Sequence, residues 1–381
     1  MMLTAEHETF RRSVRELVQR EIEPFVETWE AEGQFPAHDL FPKVAKLGLL
    51  GLEYDPKFGG EGADHSFAMV AAEELGRISA SGVALGISVQ ATMATPSLHK
   101  FGSEDLKRRY LEPALRGDHV CSIAVTEHNA GSDVAGIRTR ANVDGDDWII
   151  NGSKMFITNG TQADWICLLA RTSDEGGYQG MSQIIVESKT PGFRVSRKLD
   201  KLGHRSSDTA ELSFENVRVS RANTIGTENR GFQQQMGQFV VERMFGCYGK
   251  TGLLQDALDK TRDYLKERTA FGRSLMSNQY VAFKLTELSA QLDLVRTYNH
   301  SMAKAYMDGQ DTTRQAAVAK LMIGRLSREI ADQCLQFHGG SGYMEETWTS
   351  RFLRDQRLTS IGGGADEVML QVLAKMNGYT A

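Results

Sequence analysis

Gln235-Met-Gly-Gln-Phe-Val-Val-Glu-Arg-Met-Phe-Gly246 lies inside Gly231–Arg268, a run without a single proline. A run of that length with no breaker predicts one long helix. Within it, Glu242 follows Phe239, Val240 and Val241, and Met244 and Phe245 come after Arg243. An ionised carboxylate in so apolar a window costs free energy unless it is paired or put to use. Its neighbours on the same helix face are Gln238, Phe239, Phe245 and Gly246. Gly246 leaves open space beside the carboxylate where a ligand chain can lie. Two readings compete: an ion pair with Arg243 or a neighbouring chain, and an acid or base at a site.

The remainder of the C-terminal part is also helical. Val281, Leu285, Leu288, Leu292, Val295, Met302 and Tyr306 trace an apolar stripe. Asp311 can cap the next helix, whose core face is expected to include Val318, Leu321, Met322 and Leu326. Antiparallel helices with short links predict a four-helix bundle over residues 227–381. Residues 118–226 read differently. From Val120 to Ser220 β-branched residues and short alternation dominate, and Asp144-Gly145-Asp146-Asp147 before Trp148-Ile149-Ile150 signals a hairpin. Trp165–Ala170, Ser182–Glu187, Phe193–Ser196 and Glu211–Val219 are further strand candidates, so this part is expected to be a small barrel or sandwich. Residues 1–117 read as a third, helical domain. Thr4 is a cap before Phe10, Val14, Leu17 and Val18, and Ser66–Gly76 and Gly82–Phe101 are two later helices. The adjacent Glu73 and Glu74 are read as a solvated helix face. The fold class is therefore α+β, with a sheet domain between two helical ones.

Composition narrows the function. The 381 residues carry a net charge of −5 and a pI near 6.0, with no basic footprint for nucleic acid and no basic run for an anionic membrane. Cys121, Cys167, Cys247 and Cys334 are far apart and include no CxxC, as expected of reduced thiols in a cytoplasmic protein. The nine histidines show no HxH or HExxH spacing, so no metal is expected. No signal peptide, transit peptide or membrane span is expected.

Three stretches carry chemistry. Ala124-Val-Thr-Glu-His-Asn-Ala-Gly-Ser-Asp-Val-Ala-Gly136 is a strand entering a loop of small residues, able to wrap a flat heteroaromatic ligand with backbone amides and the hydroxyls of Thr126 and Ser132. Lys154-Met-Phe-Ile-Thr-Asn-Gly160 is a second strand end, with Phe156 and Thr158. Gln336-Phe-His-Gly-Gly-Ser-Gly-Tyr343 ends a helix, and its glycines let a phosphate or a neighbouring backbone come close. It is not GxGxxG and follows no strand, which rules out a Rossmann reading.

Taken together, these stretches resemble the acyl-CoA dehydrogenase family over essentially the whole chain. Thr126–Gly136 is similar to one family signature; Gln336-x-x-Gly-Gly-x-Gly-Tyr343, continuing to Glu346, Arg351 and Asp355, is similar to the other. The resemblance implies FAD, a homotetramer built as a dimer of dimers, and oxidation of an acyl-CoA thioester to the trans-2-enoyl-CoA. It implies that Val125, Thr126, Gly131 and Ser132 hold the flavin from one side and Phe156, Ile157 and Thr158 from the other, with Ser132 also near the substrate. It implies further that Arg268, in Arg268-Thr-Ala-Phe-Gly272, together with Gln279, Gln336 and Gly340, reaches FAD across a subunit contact, and that Glu367 contributes. An electron-transfer flavoprotein is the implied acceptor.

In many members the base that removes the α-proton is a glutamate before Gly-Thr near the C-terminus. Here that segment is Ile361-Gly-Gly-Gly-Ala-Asp-Glu-Val368, and the matching position is Gly363. The isovaleryl-CoA and long-chain branches carry the base on the long helix, and the matching position is Glu242, with Arg243 beside it. Desolvation by Phe239 and Phe245 is expected to raise the pKa of that carboxyl towards neutrality. Gln233, Arg243, Gly363, Gly364 and Ser132 are the candidate substrate contacts, and Gly362-Gly363-Gly364 leaves room for a branched or long acyl group. Ser360–Val368 and Asp200–Thr209 also resemble citronellyl-CoA dehydrogenases. The chain departs from the family pattern at Ala365, Val240, Phe156 and His128-Asn129. An acyl-CoA oxidase or flavin monooxygenase on the same scaffold, and a non-catalytic CoA-binding scaffold, are the alternatives.

Overall fold

A computed structural model describes residues 3–380. The N-terminal part contains α1 Ala5–Glu21, α2 Val26–Glu32, α3 Ala37–Ala45, α4 His65–Gly76 and α5 Ser81–Ser88, then α6 Pro96–Phe101, α7 Glu104–Leu106 and α8 Glu112–Leu115. Thr4 is the N-cap of α1, and its amide donates to His7 Nδ1 at 3.1 Å. The expected single helix over Gly82–Phe101 is broken. Val89–Ala94 widens into a π-turn before α6 begins at Pro96. Pro96 has no N–H to continue the ladder, although Thr95 before it keeps right-handed helical backbone (φ −95°, ψ −26°). The Thr95 hydroxyl donates to Gln90 O at 2.8 Å, closing the wider turn.

Glu73 and Glu74 do not form a solvated face. The Glu74 side chain is 1% exposed. Arg11 donates to Glu74 Oε1 at 2.8 Å and to Glu73 Oε2 at 2.9 Å, and Arg15 donates to Glu74 Oε2 at 2.9 Å. Burial alone would raise the Glu74 carboxyl, but the two guanidiniums hold it below its usual value.

The middle part forms an eight-stranded sheet. Its strands are β1 Cys121–Ala124, β2 Arg140–Asp144, β3 Asp147–Thr158, β4 Trp165–Arg171, β5 Met181–Glu187, β6 Phe193–Lys198, β7 Thr209–Ser220 and β8 Thr224–Ile225. The order is β6-β7-β3-β2-β4-β5-β8, with β1 paired to β4. Asp144 pairs with Asp147, so β2 and β3 are a hairpin closed by Gly145-Asp146. The two halves meet at one bridge, Arg140 to Arg171. Trp148, Ile150 and Leu212 from one half share a core with Ile166, Leu168, Ile184 and Val186 from the other.

The C-terminal part is built on α9, Gly231–Glu267. Its 37 residues span about 55 Å at the α-helical rise. A small hairpin, β9 Thr269–Ala270 with β10 Arg273–Ser274, leads to α10 Gln279–Met307 and α11 Thr313–Gly342. The sequence then runs through α12 Trp348–Arg357 and α13 Asp366–Met376. The apolar stripe of α10 is buried at Val281, Leu288, Leu292, Val295 and Met302. The face of α11 differs from expectation: Met322 is 48% exposed. Ala316, Ala319, Ile323, Leu326 and Ile330 pack against α9 and α10, while Ala317 and Leu321 turn to α13. Helix α11 therefore buries two faces, because α13 covers its other side. At Gly339 (φ 60°, ψ −142°) α11 kinks.

One side chain joins the three parts. Asp355, on α12, accepts from the amide of Ser81 at 3.1 Å and from that of His204 at 2.6 Å. His204 Nε2 in turn meets Asp355 O at 3.0 Å.

Candidate active site

Glu242 sits where α9 crosses the π-turn. One turn earlier, Gln238 accepts from Ser97 Oγ at 2.6 Å and donates to Met93 O, which fixes the helix against that segment. Glu242 makes no hydrogen bond or ion pair among the described residues. Arg243 does not pair with it; its Nε donates to Gly363 O at 3.0 Å and its guanidinium lies 5.8 Å from the Phe239 ring centre. The carboxyl is half-buried, with an open side towards Gly246. The surrounding protein raises its pKa to about 7; the charges of Arg243 and Lys320 pull the other way and do not cancel the effect of burial.

Across from it lies the Gly362-Gly363-Gly364 loop. Gly363 has φ +66°, and a Cβ built there would stand 3.7 Å from Glu242 Oε1 and 3.7 Å from Lys320 Cε. Lys320, on α11, is 8% exposed. Its Nζ donates to Thr359 O at 2.6 Å and Gly364 O at 3.1 Å, clasping both ends of the loop. Sequence reasoning missed Lys320. The available signal was a lysine placed among Ala316, Ala317, Ala319, Leu321 and Ile323, a setting in which an ammonium needs acceptors.

The two strand-end loops come together beside α9. Thr126 O accepts from Met155 N at 2.9 Å. Lys154 is fully buried and donates to Val125 O at 2.8 Å and Glu127 Oε1 at 2.9 Å; burial lowers its pKa to about 8 despite the Glu127 charge. Glu127 also accepts from the amides of Arg138 at 2.6 Å and Thr139 at 2.9 Å. Phe239 packs on the cluster of Val125, Ala130, Ile137 and Leu169, which brings these loops to the Glu242 helix.

Phe156 is the unusual residue here. It has φ +63° and is 66% exposed, on β3 where the register with β7 slips between Lys154 and Ile157. A bulky residue in that backbone region is an outlier held by its surroundings, and the slip re-aims its ring outward. The hydroxyls of Thr126, Ser132 and Thr158 have no protein hydrogen-bond partner among the described residues, and Gly131 and Ser132 are exposed. An outward aromatic ring beside three unused hydroxyls fits a flat heteroaromatic group. Val125 and Ile157 are buried, so any contact they make there is through the backbone.

Arg268 lies far from Glu242 within one chain. Arg268 is 26 positions beyond Glu242 on the same axis, about 39 Å at the helical rise. Arg268, Gln279, Gln336 and Gly340 are all exposed, and Glu367 is exposed at the start of α13. Gln233 is exposed in the first turn of α9, next to a Phe232–Tyr178 ring pair with centroids 4.6 Å apart. Among the described residues no cluster of three His, Cys, Asp or Glu could hold a metal ion, and no helix is long and apolar enough to cross a membrane.

Family models for the acyl-CoA dehydrogenase N-terminal, middle and C-terminal domains match residues 4–118, 122–217 and 229–377. The chain is 35% identical over 375 residues to an acyl-CoA dehydrogenase of Bacillus subtilis, covering 98% of each chain. It is 35% identical over 376 residues to the mitochondrial long-chain specific acyl-CoA dehydrogenase of Sus scrofa, covering 98% of this chain and 87% of the relative. The crystal structure of acyl-CoA dehydrogenase from Geobacillus kaustophilus superposes with a TM-score of 0.95 at 34% identity, covering 98% of each chain.

Proposed function

The chain belongs to the acyl-CoA dehydrogenase family, an oxidoreductase family of FAD flavoproteins, and on that footing we propose that it desaturates an acyl-CoA thioester to the trans-2-enoyl-CoA with Glu242 as base. The observation that carries this reading is the Glu242 carboxyl: unpaired, in an apolar opening next to Gly363, with a pKa of about 7. A base poised near the working pH takes a proton with little loss from being in the wrong protonation state. Glu242 takes the proton from the carbon next to the thioester carbonyl, and a hydride leaves the following carbon, so that the C–C bond becomes double. FAD, when bound, supplies the hydride acceptor.

Residues of this chain have three tasks. Thr126, Ser132 and Thr158 offer hydroxyls and Phe156 offers a ring face to the flavin; Val125, Gly131 and Ile157 offer backbone. Ser132, Gln233 and Arg243 lie on the substrate side, with the CoA moiety on the exposed start of α9. Gly363 leaves space beside Glu242 for a branched or long acyl group against the loop that Lys320 holds; Gly364 does not, because a Cβ there would stand 2.7 Å from Met369 Cε, which already fills that side.

Arg268, Gln279, Gln336 and Gly340 complete the FAD site from a second copy, in a homotetramer, and Glu367 contributes from the start of α13. The exposed Phe271, Tyr280, Phe283 and Leu294 on and before α10 suit such a contact; light scattering on the holoprotein checks it. The electron acceptor in this reading is an electron-transfer flavoprotein, and the location is cytoplasmic.

The deciding experiment is anaerobic. Purified yellow protein is mixed with straight and branched acyl-CoAs under nitrogen. Loss of the visible flavin band, slow to return in air, is the expected result. Rapid return in air would make the protein an oxidase, and no bleaching with any thioester would overturn the reading.

A further inference from the structure

A lysine on the Glu242 helix keeps two donors that the proposed chemistry does not use. Two polar contacts pin α9 to the segment that runs from the end of α12 into the glycine loop. Arg243 Nε donates to Gly363 O at 3.0 Å, and Lys250 Nζ donates to Gln356 Oε1 at 2.9 Å. The pins are seven positions apart on one side of the helix, about 10 Å along its axis. Between them stands Gly246, which is exposed, and a Cβ built there would meet no atom within 4 Å. The opening beside Glu242 therefore continues along α9, past Gly246, towards Lys250. The Lys320 charge acts on Glu242 at one end of this stretch and on Lys250 at the other.

Lys250 is half-buried, and burial lowers its pKa to about 8 despite the Asp355 charge. An ammonium has three donors and no acceptor. The other lysines in that situation spend at least two of them: Lys154 on Val125 O and Glu127, Lys320 on Thr359 O and Gly364 O, Lys201 on Ser207 O and Thr209 Oγ1. Lys250 spends one, on a neutral amide, among the described residues. Asp355 does not take the others, since its two oxygens accept from the amides of His204 and Ser81. In the empty protein, water can reach the spare donors. An acyl chain lying past Gly246 displaces that water, and a hydrocarbon end would leave the ammonium facing methylene groups.

We infer that Lys250 reads an acceptor oxygen, a carboxylate above all, carried on the acyl chain away from the thioester. The preferred substrates are then acyl-CoAs with a carboxylate at the far end of the chain. This inference rests on the dehydrogenase reading of the site and adds a substrate class to it. A site with unspent donors rejects the analogue that lacks the matching acceptor far more strongly than an apolar pocket rejects a change of one methylene.

The test uses holoenzyme and matched series of plain, ω-carboxy and ω-methyl-ester acyl-CoAs of increasing length, with wild type, Lys250→Met and Lys250→Gln. At the length that reaches Lys250, wild type is expected to favour the carboxylate over the plain chain by roughly ten- to a hundredfold in kcat/KM. Lys250→Met should reverse the order, losing the carboxylate chain and gaining severalfold on the plain one. Lys250→Gln keeps a donor without the charge, so it should lose about tenfold on the carboxylate and still favour the ester over the plain chain. A lysine that only ties α9 to Gln356 would lower all three series together at every length. That result, equal wild-type rates for plain and carboxylate chains at every length, or a carboxylate preference that survives in Lys250→Met would each overturn the inference and leave the dehydrogenase intact. Failure of every thioester to bleach wild-type flavin would remove both.

Discussion

The side chain that Gly363 lacks would begin 3.7 Å from Oε1 of Glu242. Two positions 121 residues apart in sequence thus face one point in space from opposite walls. A carboxylate mounted on either wall could serve the same carbon, and only one wall carries it here. Moving the group across is therefore a direct test. Glu242→Gly should lower the rate of flavin reduction by about a thousandfold or more. Adding Gly363→Glu should restore at least tenfold of it, at a cost of about 1–2 kcal/mol for a side chain at φ +66°. No recovery in a stably folded double variant would mean that the two walls do not address the same atom.

The pKa of about 7 at Glu242 sets a pH dependence with a definite sign. The base form is needed, so kcat/KM should climb as pH passes through 7 and level off above it. Stability runs the opposite way. In the unfolded chain this carboxyl titrates near 4.5 and in the fold near 7, so the folded state favours the protonated form. Below pH 4.5 the group is neutral in both states. Between 4.5 and 7 stability falls with rising pH, and above 7 the whole penalty is present. Glu242→Gln should therefore melt with wild type near pH 4 and above it at pH 8, while losing the rising limb of activity.

Lys320 offers a separate handle on the same carboxyl. Lys320→Met removes a positive charge near Glu242 and the donors to Thr359 O and Gly364 O. The rising limb of the pH–kcat/KM profile should move to higher pH, and stability should drop by about 2–3 kcal/mol for two carbonyls left without a partner. Lys320→Arg keeps the charge and should keep the limb in place. A purely structural lysine would change stability in Lys320→Met without moving the limb.

Lys154 and Glu127 support the proposed flavin loops from underneath. Lys154→Met leaves a buried carboxylate without its counter-charge, at a cost of about 3–5 kcal/mol. The loss should appear as a lower denaturation midpoint and as protein that purifies with less bound flavin. Lys154→Met combined with Glu127→Gln should recover part of both. If the flavin content of Lys154→Met equals that of wild type, the pair does not support the loops.

Legibility from sequence varied with the distance over which a residue finds its partners. The β2–β3 hairpin was readable because Gly145-Asp146 and the flanking alternation are local. Helix α9 was readable because nothing within Gly231–Glu267 interrupts it. The π-turn was not: Pro96 marks a break, but the widened turn depends on where Thr95 sends its hydroxyl. Glu73 and Glu74 were misread because their partners, Arg11 and Arg15, lie about sixty positions upstream on another helix. Met322 was placed in the core by spacing alone, whereas α13 had already claimed a second face of α11. At the site, Glu242 could be singled out from its apolar neighbours. Lys320 could not, since it gains its meaning from backbone carbonyls contributed by a remote segment.

The Asp355 carboxylate, which receives one amide from Ser81 and another from His204, has a consequence for how the molecule comes apart. No fragment of the polypeptide can keep that anion satisfied alone, because its donors belong to two other stretches. Cutting the gene into its three apparent segments should yield pieces that clump rather than fold. The intact chain, by the same logic, should denature in a single cooperative step instead of shedding its layers one after another.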